Sequence, residues 1–230
     1  MKTVGLLGGM SWESTLDYYR EINEGVKRRL GGLHSGQIVL YSVNFDPLEK
    51  LLNRNEWDAL GETLAEAARR GEAGGADFLL ICTNTMHRVA PQIERSLNIP
   101  LLHIADATAE TLVRAKVKKV GLIGTAFTME QGFYKDRLKE KYQLAVVVPD
   151  APDRKLVHDV IFQELCLGTI RNSSKREFVR IVDQLSRAGA EAVILGCTEI
   201  GMLIDKKDTE TTLYDTTKIH AAKAVEWALA

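Results

Sequence analysis

Short apolar runs that do not alternate recur along this chain, separated by longer stretches with helical spacing. The runs are Thr3–Leu7, Ile38–Val43, Phe78–Ile81, Leu101–Ile104, Lys119–Ile123, Ala145–Val148, Ala192–Leu195 and Thr212–Tyr214, rich in β-branched residues or leucine. Apolar character without alternation marks strands covered on both faces, as in a parallel sheet. Between them Ser14–Leu30, Asn55–Gly74, Met129–Tyr142, Lys155–Leu167, Ser174–Ala188 and Thr216–Ala230 read as helices. The first ends at Gly31-Gly32, a C-cap pair, and the fifth carries Phe178, Ile181, Val182 and Leu185 on one stripe. Alternating strands and helices predict an α/β fold of mostly parallel sheets with right-handed crossovers.

The pattern also repeats. Gly75-Ala76-Asp77-Phe78-Leu79-Leu80-Ile81-Cys82-Thr83-Asn84-Thr85 lies over Gly189-Ala190-Glu191-Ala192-Val193-Ile194-Leu195-Gly196-Cys197-Thr198-Glu199, 114 residues on (75 and 189). Val4-Gly5-Leu6-Leu7-Gly8 likewise matches Val120-Gly121-Leu122-Ile123-Gly124. The chain therefore reads as two copies of one half, in which Thr83 is the counterpart of Cys197. Two pseudo-symmetric lobes are expected, residues 1–104 with 212–230, and residues 105–211. The site is expected in the cleft between them, with one reactive residue from each. Leu213-Tyr214-Asp215-Thr216-Thr217 echoes Ile104-Ala105-Asp106-Ala107-Thr108, both read as a strand end, an aspartate and a Thr-led helix, so the last helix is expected to cross back onto the first lobe.

Composition narrows the class. At 230 residues and 45% apolar the chain can bury a substantial core. A net charge of −1, with basic residues scattered, gives no electrostatic case for nucleic acid or an anionic membrane. Lys116-Val117-Lys118-Lys119 reads as a solvated turn before a strand. Three cysteines without Cys-x-x-Cys spacing argue against a disulfide framework or a structural zinc site. The N-terminal apolar run is too short for a signal peptide or a membrane span, and a cytoplasmic protein is expected.

Open α/β sheets bind ligands at the carboxyl ends of their strands. Four polar clusters stand there: Gly8-Gly9-Met10-Ser11, Thr83-Asn84-Thr85, Gly124-Thr125 with Thr128, and Cys197-Thr198-Glu199. The first lacks the Gly-x-Gly-x-x-Gly dinucleotide fingerprint, and no phosphate-binding P-loop is present. It reads either as a tight turn or as a nest of backbone N–H groups for a carboxylate. Cys197 is either an inert buried thiol or, at a loop–helix junction, a thiolate of lowered pKa. Cys82 should point into the core if Thr83 faces the site. His87 reads as a surface or capping histidine, or as a group that orients the site. The other histidines are spread apart, and no cluster has metal-ligand spacing, so no metal is expected.

Gly8-Gly9-Met10, Asn84-Thr85-Met86-His87, Leu122-Ile123-Gly124-Thr125 and above all Gly196-Cys197-Thr198-Glu199-Ile200 resemble the cofactor-independent aspartate/glutamate/hydantoin racemase superfamily over essentially the whole chain. The Gly-Cys-Thr-Glu run is similar to the aspartate racemase branch; dedicated glutamate racemases usually carry histidine where Glu199 stands. The resemblance implies a small amino-acid substrate, no cofactor and a homodimer. It also implies two cysteines facing the α-carbon from opposite sides. Cys197 matches one of them, while the second position is Thr83.

Threonine is a far weaker acid than a thiol, whose free pKa is about 8.5, and a poor general base at neutral pH. Exchange of one enantiomer's α-proton should therefore outrun the other's. The resemblance also implies a lysine for the distal carboxylate where this chain has Cys166, and an arginine for the same group near Arg54. Loss of that clamp points to broader amino-acid specificity. Met10, Ser11, Asn84, Thr85, Thr125, Thr128, Thr198, Glu199, Arg54 and Cys166 are the candidate substrate contacts. Two other readings stay open: a single-cysteine arylmalonate-type decarboxylase, and a two-lobed amino-acid-binding protein without catalysis. A two-cysteine cis-trans isomerase fits less well.

Overall fold

A computed structural model describes all of residues 1–230. β1 (Val4–Gly8) is buried at every position, as its unalternating apolar run requires. α1 (Trp12–Leu30) follows with Ser11 as N-cap and Gly31 as C-cap, the latter at φ 75°. Next come β2 (Ile38–Ser42), α2 (Phe45–Asn53), α3 (Trp57–Ala73) and β3 (Phe78–Ile81). A 3-10 turn, Thr85–Val89, leads into α4 (Ala90–Arg95), and α5 (Ile104–Arg114) follows. The second copy runs β4 (Lys119–Gly124), α6 (Ala126–Glu130), α7 (Gly132–Tyr142), β5 (Ala145–Val147) and α8 (Ala151–Gln163). It continues with a 3-10 turn at Leu165–Leu167, α9 (Asn172–Arg187), β6 (Ala192–Gly196), α10 (Ile200–Leu203), β7 (Leu213–Asp215) and α11 (Thr216–Leu229).

The chain divides into two compact units, Met1–Ile104 with His220–Ala230, and Ala105–Ile219. In the first, the sheet order is β2-β1-β3, all parallel, with Val4 beside Ile38 on one side and Phe78 on the other. In the second it is β5-β4-β6-β7, again parallel, with Val120 between Val146 and Ala192. Leu7 pairs with Ile81 just as Ile123 pairs with Leu195. The two halves thus share one strand register, and Thr83 and Cys197 follow equivalent strands at equivalent distances.

The repeated Gly-Ala-acid run has a physical reason. Gly75 and Gly189 take φ of 94° and 90°, a left-handed conformation that costs other residues energy. The acid then reaches the start of the neighbouring strand: Asp77 Oδ2 accepts from the Thr3 N–H at 2.6 Å, and Glu191 Oε1 from the Lys119 N–H at 3.0 Å.

Each unit has its own core. Tyr18, Ile22 and Val26 of α1 pack with Phe78, Leu80 and Leu102 and with Ala221, Ala224 and Val225 of α11. The stripe Phe178, Ile181, Val182 and Leu185 of α9 packs with Val157, Ile161 and Leu195 in the second. Full burial of such side chains contributes about 1.5–3 kcal/mol each. No helix is long and apolar enough to cross a membrane.

Several expectations need correction. Leu101–Ile104 is not a strand; Leu79 bridges only Leu101, and a helix begins at Ile104. Residues 212–219 belong with the second unit, because β7 pairs with β6. Since Leu101 lies beside Leu79 as Leu213 lies beside Val193, Asp215 corresponds to His103 and not to Asp106. The two aspartates do different jobs. Asp215 Oδ1 accepts from the N–H groups of Thr217 and Lys218 at the start of α11, while Asp106 binds Arg137 and Lys141 from within α5. The span 129–142 is two helices, broken where Gln131 is extended (φ −83°, ψ 154°). The span 155–167 begins earlier, at an Asp150 cap whose side chain accepts from the Asp153 N–H, and ends as a separate 3-10 turn.

Candidate active site

The carboxyl edge of the first sheet is built by the loops after β1 and β3. Gly9 (φ 91°) turns the chain, and an added Cβ there would lie 2.3 Å from the Val43 carbonyl oxygen, so only glycine fits. The Gly9 N–H donates to Thr15 Oγ1 at 2.9 Å, and Thr15 Oγ1 donates to the Ser11 carbonyl at 2.8 Å. Ser11 Oγ accepts from the Ser14 N–H at 3.4 Å. The Gly9 donor expected for a carboxylate nest is thus already engaged by Thr15, and Ser11 serves as a helix cap. Met10 is buried beside them.

After β3 the chain presents Cys82, Thr83, Asn84 and Thr85, all buried. Cys82 packs with Val4, Leu6, Phe78 and Leu80, and burial pushes its thiol far above the ordinary range. It is a core residue. Thr83 is 8% exposed. Arg54 stands at the end of α2 with its side chain 69% exposed and Glu56 at 3.9 Å.

His87 is buried, not on the surface. Its Nδ1 lies 2.7 Å from the Thr83 carbonyl oxygen, and its Nε2 lies 3.2 Å from the Ile104 nitrogen. Its ring contacts His103 (centroids 4.4 Å apart) and His220 (6.1 Å). His220 in turn meets Tyr18 Oη at 2.8 Å and the Leu102 carbonyl at 2.8 Å. Sequence spacing had separated these histidines; the fold gathers three of them, and burial pushes His220 down to about 4.

In the second unit Gly124 pairs with Gly196, which puts Thr125 and Cys197 side by side at the carboxyl edge. Thr125 caps α6, accepting from the Thr128 N–H at 3.3 Å, with the two hydroxyls 3.2 Å apart. Cys197 Sγ donates to Glu199 Oε2 at 2.8 Å, and Thr198 Oγ1 donates to the same oxygen at 2.8 Å. Cys166 packs against the cluster that contains Cys197.

Of the two readings of Cys197, the structure disfavours the thiolate of lowered pKa. Burial raises the pKa well above the ordinary thiol range, and the Glu199 carboxylate, by charge and as acceptor, pushes the same way. The thiol is protonated and already aimed at a carboxylate oxygen. Such a pair can move a proton from sulfur to carboxylate when a substrate's positive charge arrives nearby. Glu199, one of the expected substrate contacts, accepts from both Cys197 and Thr198.

The fold and these strand ends define a duplicated parallel α/β protein whose candidate reactive position occurs once in each half. A family model for Asp/Glu/hydantoin racemases matches residues 7–224. A crystal structure of a putative Asp/Glu racemase from Yersinia pestis is 47% identical, covers all of both chains and superposes with a TM-score of 0.92. An aspartate racemase homologue from Pyrococcus horikoshii OT3 is 35% identical over all of both chains, with a TM-score of 0.86. The broad specificity amino-acid racemase RacX of Bacillus subtilis (strain 168) is 21% identical over 99% of this chain and 98% of its own. The chain belongs to the Asp/Glu/hydantoin racemase family.

Proposed function

We propose that the chain is a pyridoxal-phosphate-independent amino-acid racemase in which Cys197 and Thr83 serve opposite faces of the substrate α-carbon. The observation that carries the reading is the Cys197 thiol donating to the buried Glu199 carboxylate at 2.8 Å. The shared strand register, which makes Thr83 its counterpart, supports the pairing.

The proton balance runs in three steps. Glu199 takes the thiol proton, and the thiolate removes the α-proton. The Thr83 hydroxyl gives its proton to the opposite face of the carbanion. Thr83 then recovers a proton, ultimately the one held by Glu199, through solvent. A carbanion without a cofactor needs hydrogen bonds and dipoles in a dry site. Asn84, Thr85, Thr125 and Thr198 are the buried polar groups assigned to that task. Substrate specificity is assigned as aspartate, glutamate or a broader set, because Cys166 stands where relatives are expected to carry a lysine.

The test is α-proton exchange and inversion with a panel of L- and D-amino acids in heavy water, with and without EDTA and hydroxylamine. The expected result is exchange without net chemistry, insensitive to both reagents, with one enantiomer well ahead. Thr83→Cys should bring the two rates together. Release of carbon dioxide from a substituted malonate with no α-exchange would replace this reading with a decarboxylase, and binding without exchange would replace it with a sensor.

A further inference from the structure

We propose that His87 is a positioning residue that holds the Thr83 carbonyl, and through it the Thr83 hydroxyl, in place for proton transfer on the Thr83 side. The proposal rests on the reading of Cys197 and Thr83 as the two proton-transfer positions.

The hydrogen bonds fix the state of the ring. A backbone amide only donates, so the Ile104 N–H at 3.2 Å requires His87 Nε2 to be the unprotonated nitrogen. The ring proton of neutral His87 is then on Nδ1, and Nδ1–H donates to the Thr83 carbonyl at 2.7 Å. One neutral imidazole therefore bridges the strand end that carries Thr83 and the first residue of α5. The ring is 2% exposed and packed against His103 and His220, so it has little freedom to swing away. Its own backbone N–H returns to the Asn84 carbonyl at 3.1 Å, closing the 3-10 turn over Thr85 and Met86 that follows Thr83.

The second unit shows that the fold does not require this imidazole. The counterpart of His87 is Gly201, and the counterpart of His103 is Asp215. There an added Cβ on Gly201 would lie 2.6 Å from Asp215 Oδ2, so the two positions approach each other in both halves, with a ring pair in one and glycine beside aspartate in the other. The half with the thiol aims its reactive group by a side-chain bond to Glu199. In the half with the hydroxyl, the bond from His87 holds the main chain of Thr83 instead.

The experiment compares wild type with His87→Ala, His87→Asn and His87→Gln in heavy water, following exchange of each enantiomer and inversion. Asn places an amide N–H where Nδ1–H stood but cannot reach Ile104; Gln reaches Ile104 but lacks the donor to Thr83. His87→Ala should slow inversion and the slower enantiomer's exchange by about 10- to 100-fold, the scale of a displaced reacting group. Exchange with retention in the faster enantiomer should stay unchanged. His87→Asn should recover most of the loss and His87→Gln little of it. Equal losses on both sides, no loss at all, or better recovery by Gln than by Asn would overturn the proposal. If His87→Ala does not fold, the Asn and Gln variants decide the matter alone. If wild type exchanges neither enantiomer, the racemase reading itself has failed, and the positioning role falls with it.

Discussion

At the end of β3, Thr83 hangs its carbonyl on a neutral imidazole; at the end of β6, Cys197 points its thiol at a carboxylate. The strand pairs beneath share one register, Leu7 with Ile81 and Ile123 with Leu195, so these different bonds are set by the residues that follow the strands. On one side burial first, and then the nearby negative charge of Glu199, keeps the thiol protonated. On the other the bond runs to the main chain of Thr83. On the proposed reading a duplicated scaffold separates two tasks: each sheet places one of the two positions, and the residues just beyond it set that position's bonds.

The hardest blow to the comparison is Cys197→Ser. Exchange of both enantiomers should fall by on the order of 10³-fold, within the range that a positioned acid–base group supplies. Near-normal exchange in a folded variant would mean the reactive side has been misassigned. Glu199→Gln comes next. Removing its charge should lower the Cys197 pKa, since that charge is among the causes that raise it. Alkylation by iodoacetamide should then speed up while exchange drops by about 10²-fold, because the proton acceptor is gone. A rise in both rates would show that Glu199 only restrains the thiol.

A smaller effect separates the histidine side from the carboxylate side by pH. His220 is fully buried, and its pKa falls from an ordinary 6.5 to about 4. The unfolded chain therefore takes a proton below about 6.5 that the folded chain refuses until about 4. Stability is full above that window and is lost as pH falls through it, by roughly 3 kcal/mol at most for a shift of this size. Urea unfolding midpoints should drop between pH 6.5 and 4, and His220→Gln should flatten that slope. A slope unchanged in the variant would place the titration elsewhere. The least effect is expected at Cys82. Cys82→Ala should leave both exchange rates as they are, and a dead variant would shift the Thr83 alignment by one residue.

Strand positions and the repeat were legible because they rest on local rules: buried parallel strands lose alternation, and a left-handed turn after a helix selects glycine. α2 is short and carries Pro47 in its first turn, where a helix tolerates proline, so its helical period has little length in which to repeat. Leu101 was over-read because an apolar run does not tell a strand from a single bridge beside a helix start. The proposed pair Thr83 and Cys197 could be aligned from sequence alone, but the direction of the Cys197 shift could not. It depends first on how deeply the fold buries the sulfur, and then on a side chain two positions away turning back onto it. The grouping of His87, His103 and His220 leaves no sequence trace at all, since tertiary packing alone brings them together.

The shared register also sets which kinds of change each half can absorb. Side chains alternate along a strand, so one residue added or removed between Leu195 and Cys197 would exchange the face that sulfur occupies for that of its neighbour. Gly196 has no room to compensate, since a Cβ there would lie 2.7 Å from Leu122 Cδ1. Substitutions at these tips can therefore accumulate while changes of length cannot. Loops such as 31–37, remote from either strand end, are where insertions and deletions should be found.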